Sequence, residues 1–402
     1  MKTTYLLLCL LGIGSVSGAG QTKQPQKIGD FIESTSYNEH RRNATRSLQY
    51  TPDGDDFVCI NGKNRFTRAL YGSHTAFRLE TSDRPVFAAY TKKNPKHICF
   101  KLQTSGGTVA LDSTEHCESR YTAGRRSYSL SDPAFGGGSL SITTWALPDK
   151  EGAIWQFNAR NFKEFHPVLL ASISEIRNSK LNRNGDMGAD PADSFEAPLQ
   201  PQQLQSFPVQ IDGTLYILLE NQELRTLTTA EGENLFKKAE AARSETASRI
   251  RIETPDPYFN TLGGTLAMAA DGIWDGEVWL HGAIGWRMPL SGWRAAYTGD
   301  VLGWHDRART HFNAYAASQV TEVPNTLPHP AQDSALHLAR SVKKWGTPQY
   351  SNGYICRNPH RNNQMHHYDM NLCYIDELLW HFKWTGDLDY VRQMWPVITR
   401  HL

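Results

Sequence analysis

Several signatures of common enzyme classes are missing from the sequence. There is no C-x-x-C pair, no phosphate-binding loop, no dinucleotide fingerprint and no Ser-His-Asp signature. Cysteine and histidine spacings typical of zinc are missing too, so we expect no metal and no cofactor. The 42 basic and 41 acidic residues are dispersed, and a net charge of +1 argues against a nucleic-acid partner.

One oxygen-rich segment favours calcium only weakly. Residues 182–190 place Asn182, Asn184 and Asp186 at alternating positions, as in a calcium loop. The bidentate Glu that closes such a loop is missing, so an Asx-rich turn is the preferred interpretation.

Long apolar runs are missing everywhere except at the N-terminus. Lys2 precedes an apolar run over residues 5–16, which is too short to span a bilayer, and small residues lead up to Ala19. This pattern predicts a secretory signal peptide over residues 1–19 and export to the periplasm or beyond. No later segment is apolar enough to cross a membrane.

Cysteine is scarce, and Cys9 falls inside the signal peptide. Five cysteines remain, and an odd number argues against a full disulfide framework. An oxidising compartment would allow one bridge among Cys59, Cys99 and Cys117, and buried free thiols are the alternative.

The periodicity of the sequence changes near residue 230. After a polar lead-in over residues 20–52, short runs rich in β-branched and aromatic residues predict a β-sandwich over residues 53–229. A helical linker is predicted over residues 230–254, followed by helical hairpins over residues 255–402. Gly386 marks a helix stop there, and Asp387 is a good N-cap for the next helix.

The order of a sandwich, a helical linker and helical hairpins resembles the six-hairpin, (α/α)6-toroid glycosidases. The segment DELLWHFKWTGDLDYVRQMWPVITRHL is similar to a hairpin common in that superfamily. Residues 30–402 as a whole resemble an uncharacterised family of exported Bacteroidota proteins assigned to it. The resemblance implies glycoside hydrolysis, usually by inversion, and leaves the sugar open.

The predicted toroid is incomplete. Six hairpins need twelve helices, and the sequence after residue 250 predicts only about five or six. The last predicted helix reaches the C-terminus without a stop signal. We therefore interpret the chain as the N-terminal portion of a longer protein, or as a truncated gene product.

Residues 274–306 combine five tryptophans with several carboxylates, as a sugar site requires. A Trp-rich packing seam is the alternative. The segment GWRAAYTGD, which ends at Asp300, resembles a loop of rhamnosidase-like six-hairpin enzymes. A role of Asp300 as a helix N-cap is an equally good interpretation. We predict Asp300, Glu277 and Asp369 as catalytic candidates, with substrate-binding residues Trp286, Arg287, Trp293, Arg294, Trp304, His366, His367 and Asn371.

Two of these residues suggest a charged substrate. Guanidinium groups bind carboxylates through two hydrogen bonds, so Arg287 and Arg294 are compatible with an acidic sugar. An ion pair with Asp300 or Glu277 is the alternative interpretation.

The sequence thus predicts an exported glycoside hydrolase with acid–base carboxylates in a Trp-lined funnel and a carbohydrate as its partner. A non-catalytic glycan-binding protein or an inactive fragment is the alternative. A polysaccharide lyase ranks third, because in those enzymes the toroid normally precedes the sandwich.

Overall fold

The computed structural model describes most of the chain from residue 50 onward. The described residues are 50–63, 68–91, 95–162, 167–176, 195, 204–209, 213–282, 287–292, 295–321, 332–333, 338–339, 353–360 and 368–402. The predicted signal peptide, most of the lead-in and the three candidate calcium ligands lie outside them.

Fifteen strands form the first part of the described chain, which we call the β domain. They are β1 (Thr51–Asp53), β2 (Asp56–Ile60), β3 (Arg68–Leu70), β4 (Arg78–Thr81), β5 (Val86–Tyr90), β6 (Lys96–Thr104), β7 (Gly107–Ala110), β8 (His116–Thr122), β9 (Arg125–Ser131), β10 (Ser139–Ala146), β11 (Gly152–Arg160), β12 (Val168–Glu175), β13 (Leu204–Pro208), β14 (Thr214–Glu220) and β15 (Glu223–Leu227).

These strands make two antiparallel sheets. One has the order β1-β2-β8-β9-β10-β11-β14-β15, and the other has the order β13-β12-β6-β5-β4-β3 with β7 paired to β6. Strands β8 and β9 alternate buried and more exposed positions, as expected for strands with one face against a core.

The two sheets enclose one apolar core. The ring of Phe87 on β5 lies 5.4 Å from that of Trp155 on β11, and Phe100 on β6 lies 5.0 Å from Phe157. All four side chains are buried. Aromatic contacts of this kind between facing strands hold the two layers together.

Within the described ranges, seven helices follow the strands. They are α1 (Thr229–Ala247), α2 (Pro257–Asn260), α3 (Leu262–Gly272), α4 (Ala295–Val301), α5 (His305–Ala316), α6 (Tyr368–Thr385) and α7 (Leu388–His401). Two-residue strand pairs lie between them, β16 (Leu280–His281) with β17 (Met288–Pro289) and β18 (Gln332–Asp333) with β19 (Leu338–Ala339). The predicted order of a β-rich part followed by a helical part is confirmed.

Helix α1 is attached to the outside of the β domain. A capping box starts it: Thr228 Oγ1 accepts from the backbone N–H of Glu231, whose carboxylate accepts from the N–H of Thr228. Further along, Phe236 packs on Trp145 with ring centroids 3.9 Å apart, and the Trp145 indole N–H donates to Glu240 at 2.7 Å. The linker is therefore fixed to the sheet.

The helical part has its own core, which includes Trp279, Phe312, Tyr374 and Tyr390. Packing is close where α4 crosses Trp279, because a Cβ built at Gly299 would lie 2.2 Å from the indole. Helix α6 ends at Gly386, whose φ of 62° is left-handed, and Asp387 accepts two backbone N–H groups at the start of α7. The predicted stop and N-cap are confirmed.

Two arginines join the β domain to the helical part. Arg78 on β4 and Arg287 both donate to the carbonyl oxygen of Gly272, the last residue of α3, and Arg287 also donates to the carbonyl of His74 at 2.7 Å. Positive charge at a helix C-terminus is favourable, because the exposed carbonyls carry partial negative charge. The chain that leaves α3 is thereby held in place beside the β domain.

Of the helices in the described ranges, none combines the length and the apolar character that a membrane span needs. Among the described residues, no disulfide joins any two of the cysteines Cys59, Cys99, Cys117, Cys356 and Cys373.

Candidate functional site

A tight turn after α3 presents Glu277 to solvent. Asp275 Oδ1 accepts the backbone N–H groups of Glu277 at 3.0 Å and Val278 at 2.7 Å. The turn is closed by a bridge between Trp274 and Trp279, whose rings lie 4.7 Å apart. The Glu277 side chain projects from this rigid base and is 48% exposed.

Glu277 is paired with a histidine from a distant loop. Its Oε1 lies 2.7 Å from Nε2 of His360. His360 has a left-handed backbone with φ of 59°, and its N–H donates to the carbonyl of Ala314 at 3.2 Å. A non-glycine residue in that region is strained by about 1–3 kcal/mol, and such strain is concentrated at functional sites.

Several charged groups act electrostatically on the buried side chain of Tyr315 on α5. Burial and then the negative charge of Asp275 raise the pKa of Tyr315 well above its usual range, Arg357 opposes the rise, and Glu277 adds to it. We call Asp275, Glu277, Tyr315, Arg357 and His360 the Glu277 cluster. It is drawn from three separate parts of the chain, as sites for small molecules usually are.

Asp300 is not exposed to a substrate in this structure. It lies inside α4 rather than at an N-cap position, and it is 4% exposed. His381 Nδ1 lies 2.8 and 3.0 Å from its two carboxylate oxygens, and His305 Nδ1 lies 2.7 Å from Oδ1. The carboxylate therefore ties α4 to α5 and α6 and has the surroundings of a structural group.

The same three residues form the one metal-compatible set within the described ranges. The ligand atoms of Asp300, His305 and His381 all lie within 4.8 Å of one another. An ionised Asp300 can only accept, so in this arrangement each Nδ1 donates its proton to the carboxylate. The three residues form a hydrogen-bond network in which Asp300 and His381 are buried and the His305 side chain is 44% exposed.

Two predicted substrate-binding residues have structural contacts. The guanidinium of Arg287 joins His74 and Gly272, as described above. Trp304 is 7% exposed, and the guanidinium groups of Arg307 and Arg249 lie 4.3 and 5.1 Å from its ring centroid. These cations occupy the positions that a stacked sugar would take.

Trp304 borders a cavity of about 170 Å³ between the β domain and the helices. Trp145, Arg243, Arg249, Asp271 and Arg307 also line it. Arg307 is paired with Asp271 at 2.7 Å, and Arg243 with Glu240 at 2.6 Å. Because these cations already have carboxylate partners, the cavity is a polar seam between two layers.

The last two predictions fall on α6. Asn371 is buried, and its side-chain amide makes two hydrogen bonds to the backbone of Ile355. It accepts from the Ile355 N–H at 2.6 Å and donates to the Ile355 carbonyl at 3.0 Å, as the backbone of a neighbouring strand would. Asp369 is exposed in the first turn of α6. Asp369 lies twelve residues before His381, which is about 18 Å along the helix axis. His381 contacts Asp300, so the distance from Asp369 to Asp300 is also long. Paired glycosidase carboxylates are at most about 9.5 Å apart, so Asp369 and Asp300 do not form such a pair.

Five predicted site residues lie outside the described ranges: Trp286, Trp293, Arg294, His366 and His367. Tyr315 and Arg357 were not predicted from the sequence, because no local pattern indicated their partners.

Comparison with known proteins gives one match. A family model described as a domain of unknown function, DUF4450, matches residues 95–249. The matched region runs from the start of β6 to just beyond α1, so it covers most of the β domain and none of the Glu277 cluster. No curated protein matches the chain.

Proposed function

We propose that the protein is an exported glycoside hydrolase that acts on a polysaccharide or oligosaccharide, with Glu277 as its principal acid–base carboxylate. The observation that supports this most directly is the Glu277–His360 pair. It joins an exposed carboxylate to an imidazole at 2.7 Å on a strained backbone. A proton can pass between these groups and a bound sugar, because both are accessible to solvent.

Glycoside hydrolysis uses two carboxylates, one that protonates the leaving oxygen and one that acts on the other side of the sugar ring. Asp275 is the second carboxylate of the cluster. Its Oδ1 is fixed by the two backbone N–H groups of the turn, which holds this carboxylate in place two residues before Glu277. We assign the pair Asp275 and Glu277 to catalysis in place of Asp300 and Asp369.

The proposed architecture is a β-sandwich followed by helical hairpins of a toroid. The hairpin of α6 and α7, reversed at Gly386 and Asp387, supports this. So does the packing of Tyr390 on α7 against Phe382 and His381 on α6, with ring centroids 5.9 and 5.5 Å apart.

A substrate screen tests the proposal. The purified protein is incubated with a panel of plant and host polysaccharides, and released reducing sugars are measured beside the Glu277→Gln variant. We expect at least one polysaccharide to release sugar with the parent protein and none with the variant. Equal release by both proteins would refute the assignment of Glu277.

A non-catalytic glycan-binding role is the second candidate. It is favoured by three indoles on α6 and α7 that are about half exposed: Trp380 at 46%, Trp384 at 53% and Trp395 at 55%. Exposed indoles stack on sugar rings without any chemistry. Glycan binding that is lost in Trp384→Ala but kept in Glu277→Gln, with no sugar release, would favour this role.

A further inference from the structure

Arg357 differs from the arginines of the helical part that are paired with carboxylates. Arg307 pairs with Asp271, Arg309 with Asp387 and Arg392 with Asp389. Arg357 makes only two long contacts, from Nε to the carbonyl of Pro289 at 3.4 Å and from Nη2 to the sulfur of Met288 at 3.3 Å. Among the described residues it has no carboxylate partner, so most of its five N–H donors are unused.

The environment of Arg357 makes these unused donors costly. The side chain is half-buried, and desolvation lowers the pKa of its guanidinium. A cation that is partly removed from water and not neutralised by the protein is stabilised when an anion arrives. Arg249 is satisfied by contrast, since it donates to the carbonyl of Leu302 at 3.0 Å and lies over Trp304.

Two sets of contacts connect Arg357 with the region of Glu277. Arg357 donates to Met288 and Pro289 on β17, which pairs with β16 three residues after Glu277. It is also three residues before His360, whose Nε2 lies 2.7 Å from Glu277 Oε1. An anionic sugar would be repelled by Asp275 and Glu277 alone. A positive group at this position offsets that repulsion. It also orients the sugar, because the anionic side of the ring turns towards the guanidinium.

We propose that Arg357 binds the exocyclic oxyanion of an acidic glycan at the Glu277 cluster. The anion is the carboxylate of a uronic acid or the sulfate of a sulfated sugar, because both present two oxygens to the guanidinium fork. This inference rests on the proposed function, since it names the substrate class of the same site. Arg357 is a specificity-determining residue, and Glu277 performs the chemistry.

Binding rather than turnover tests the proposal. Calorimetric titration of the Glu277→Gln protein, which is expected not to hydrolyse its ligand, uses two acidic probes, each with a neutral counterpart. These are uronate-containing oligosaccharides, their carboxyl-reduced neutral counterparts, and sulfated oligosaccharides with desulfated controls. We expect one acidic class to bind about 10–100-fold more tightly than its neutral counterpart, as a charged hydrogen-bonded pair provides. The uronate and sulfate arms identify which anion is used.

Substitutions of Arg357 test whether this residue causes the preference for acidic over neutral ligands. Arg357→Gln should remove the difference between acidic and neutral ligands. Arg357→Lys, which keeps the charge and loses the fork, should retain part of it. Arg392→Gln removes an exposed guanidinium and should change neither affinity. Thermal melting checks that each variant is folded.

Several outcomes would overturn the proposal. They are equal binding of acidic and neutral ligands, binding of no acidic ligand, or an acidic preference that survives both Arg357 substitutions. Failure of the proposed hydrolysis looks different. In that case acid-selective binding through Arg357 persists, while sugar release is either undetectable or unaffected by Glu277→Gln.

Discussion

His381 Nδ1 lies within hydrogen-bonding distance of both carboxylate oxygens of Asp300, at 2.8 and 3.0 Å, although the two residues are 81 positions apart. Both side chains are buried. This contact joins α4 to α6 in the centre of the helical part. We therefore expect Asp300 to stabilise the helical part.

Asp300→Asn should therefore destabilise the helical part. Both imidazoles contact Oδ1, so the amide oxygen can still accept from them, but the amide NH2 then lies about where Oδ2 was, 3.0 Å from the Nδ1 of buried His381. Two donors face each other there and the carboxylate charge is lost, at a cost of about 2–4 kcal/mol. Denaturant unfolding followed by circular dichroism measures the change. Asp306→Asn, an exposed position in the first turn of α5, is the control and should cost less than about 1 kcal/mol. Equal stability of the two variants would contradict the structural role.

His311 predicts a loss of stability in acid. The ring is buried, and desolvation lowers its pKa to about 3. In the unfolded chain the pKa is about 6.5, so between these values the unfolded state binds a proton that the folded state does not. The free energy of unfolding therefore falls as pH drops from about 6.5 towards 3, and His311 has no such effect above pH 6.5.

His311 Nδ1 accepts the backbone N–H of Trp279 at 3.2 Å. The His311→Gln variant isolates the effect of protonation, because glutamine still offers an acceptor for that N–H. Between pH 8 and pH 5 the parent protein should lose about 2 kcal/mol more stability than the variant. Chemical unfolding at the two pH values measures this. Parallel losses in the two proteins would show that His311 is protonated in the fold.

The exposed indoles on α6 and α7 predict self-association. Trp380, Trp384 and Trp395 are joined by exposed Leu372, Leu379 and Leu388, which makes a large apolar surface. Replacing the three tryptophans by glutamine should increase the monomeric fraction in light scattering at the same concentration. The stability of the fold should change little, since half of each side chain is already in water. A monodisperse parent protein would contradict this prediction.

Local signals in the sequence predicted the parts of the fold that depend on local physics. The loss of Gly and Pro after residue 232 indicated a helix, and α1 runs to Ala247. Gly386 and Asp387 predicted the turn between α6 and α7, because a left-handed C-terminal residue and an N-cap are properties of single positions.

The site was harder to predict, because its pairs are made by tertiary packing. Glu277 meets His360 across 83 residues, and no spacing in the sequence encodes that contact. Trp304 shows a second difficulty: tryptophans near charges are typical of sugar sites and also of packing seams. In this chain the charges beside Trp304 are arginines that cover its ring.

Glu277→Gln tests the central proposal most directly. On the best substrate from the screen, kcat/KM should fall about 10²–10⁴-fold, since general acid–base groups contribute that much, while the melting temperature stays unchanged. Glu253→Gln, at an exposed carboxylate near α2, is the matched control and should keep full activity. A Glu277→Gln protein that retains more than about one-tenth of the parent kcat/KM would contradict the assignment of Glu277 as the acid–base carboxylate.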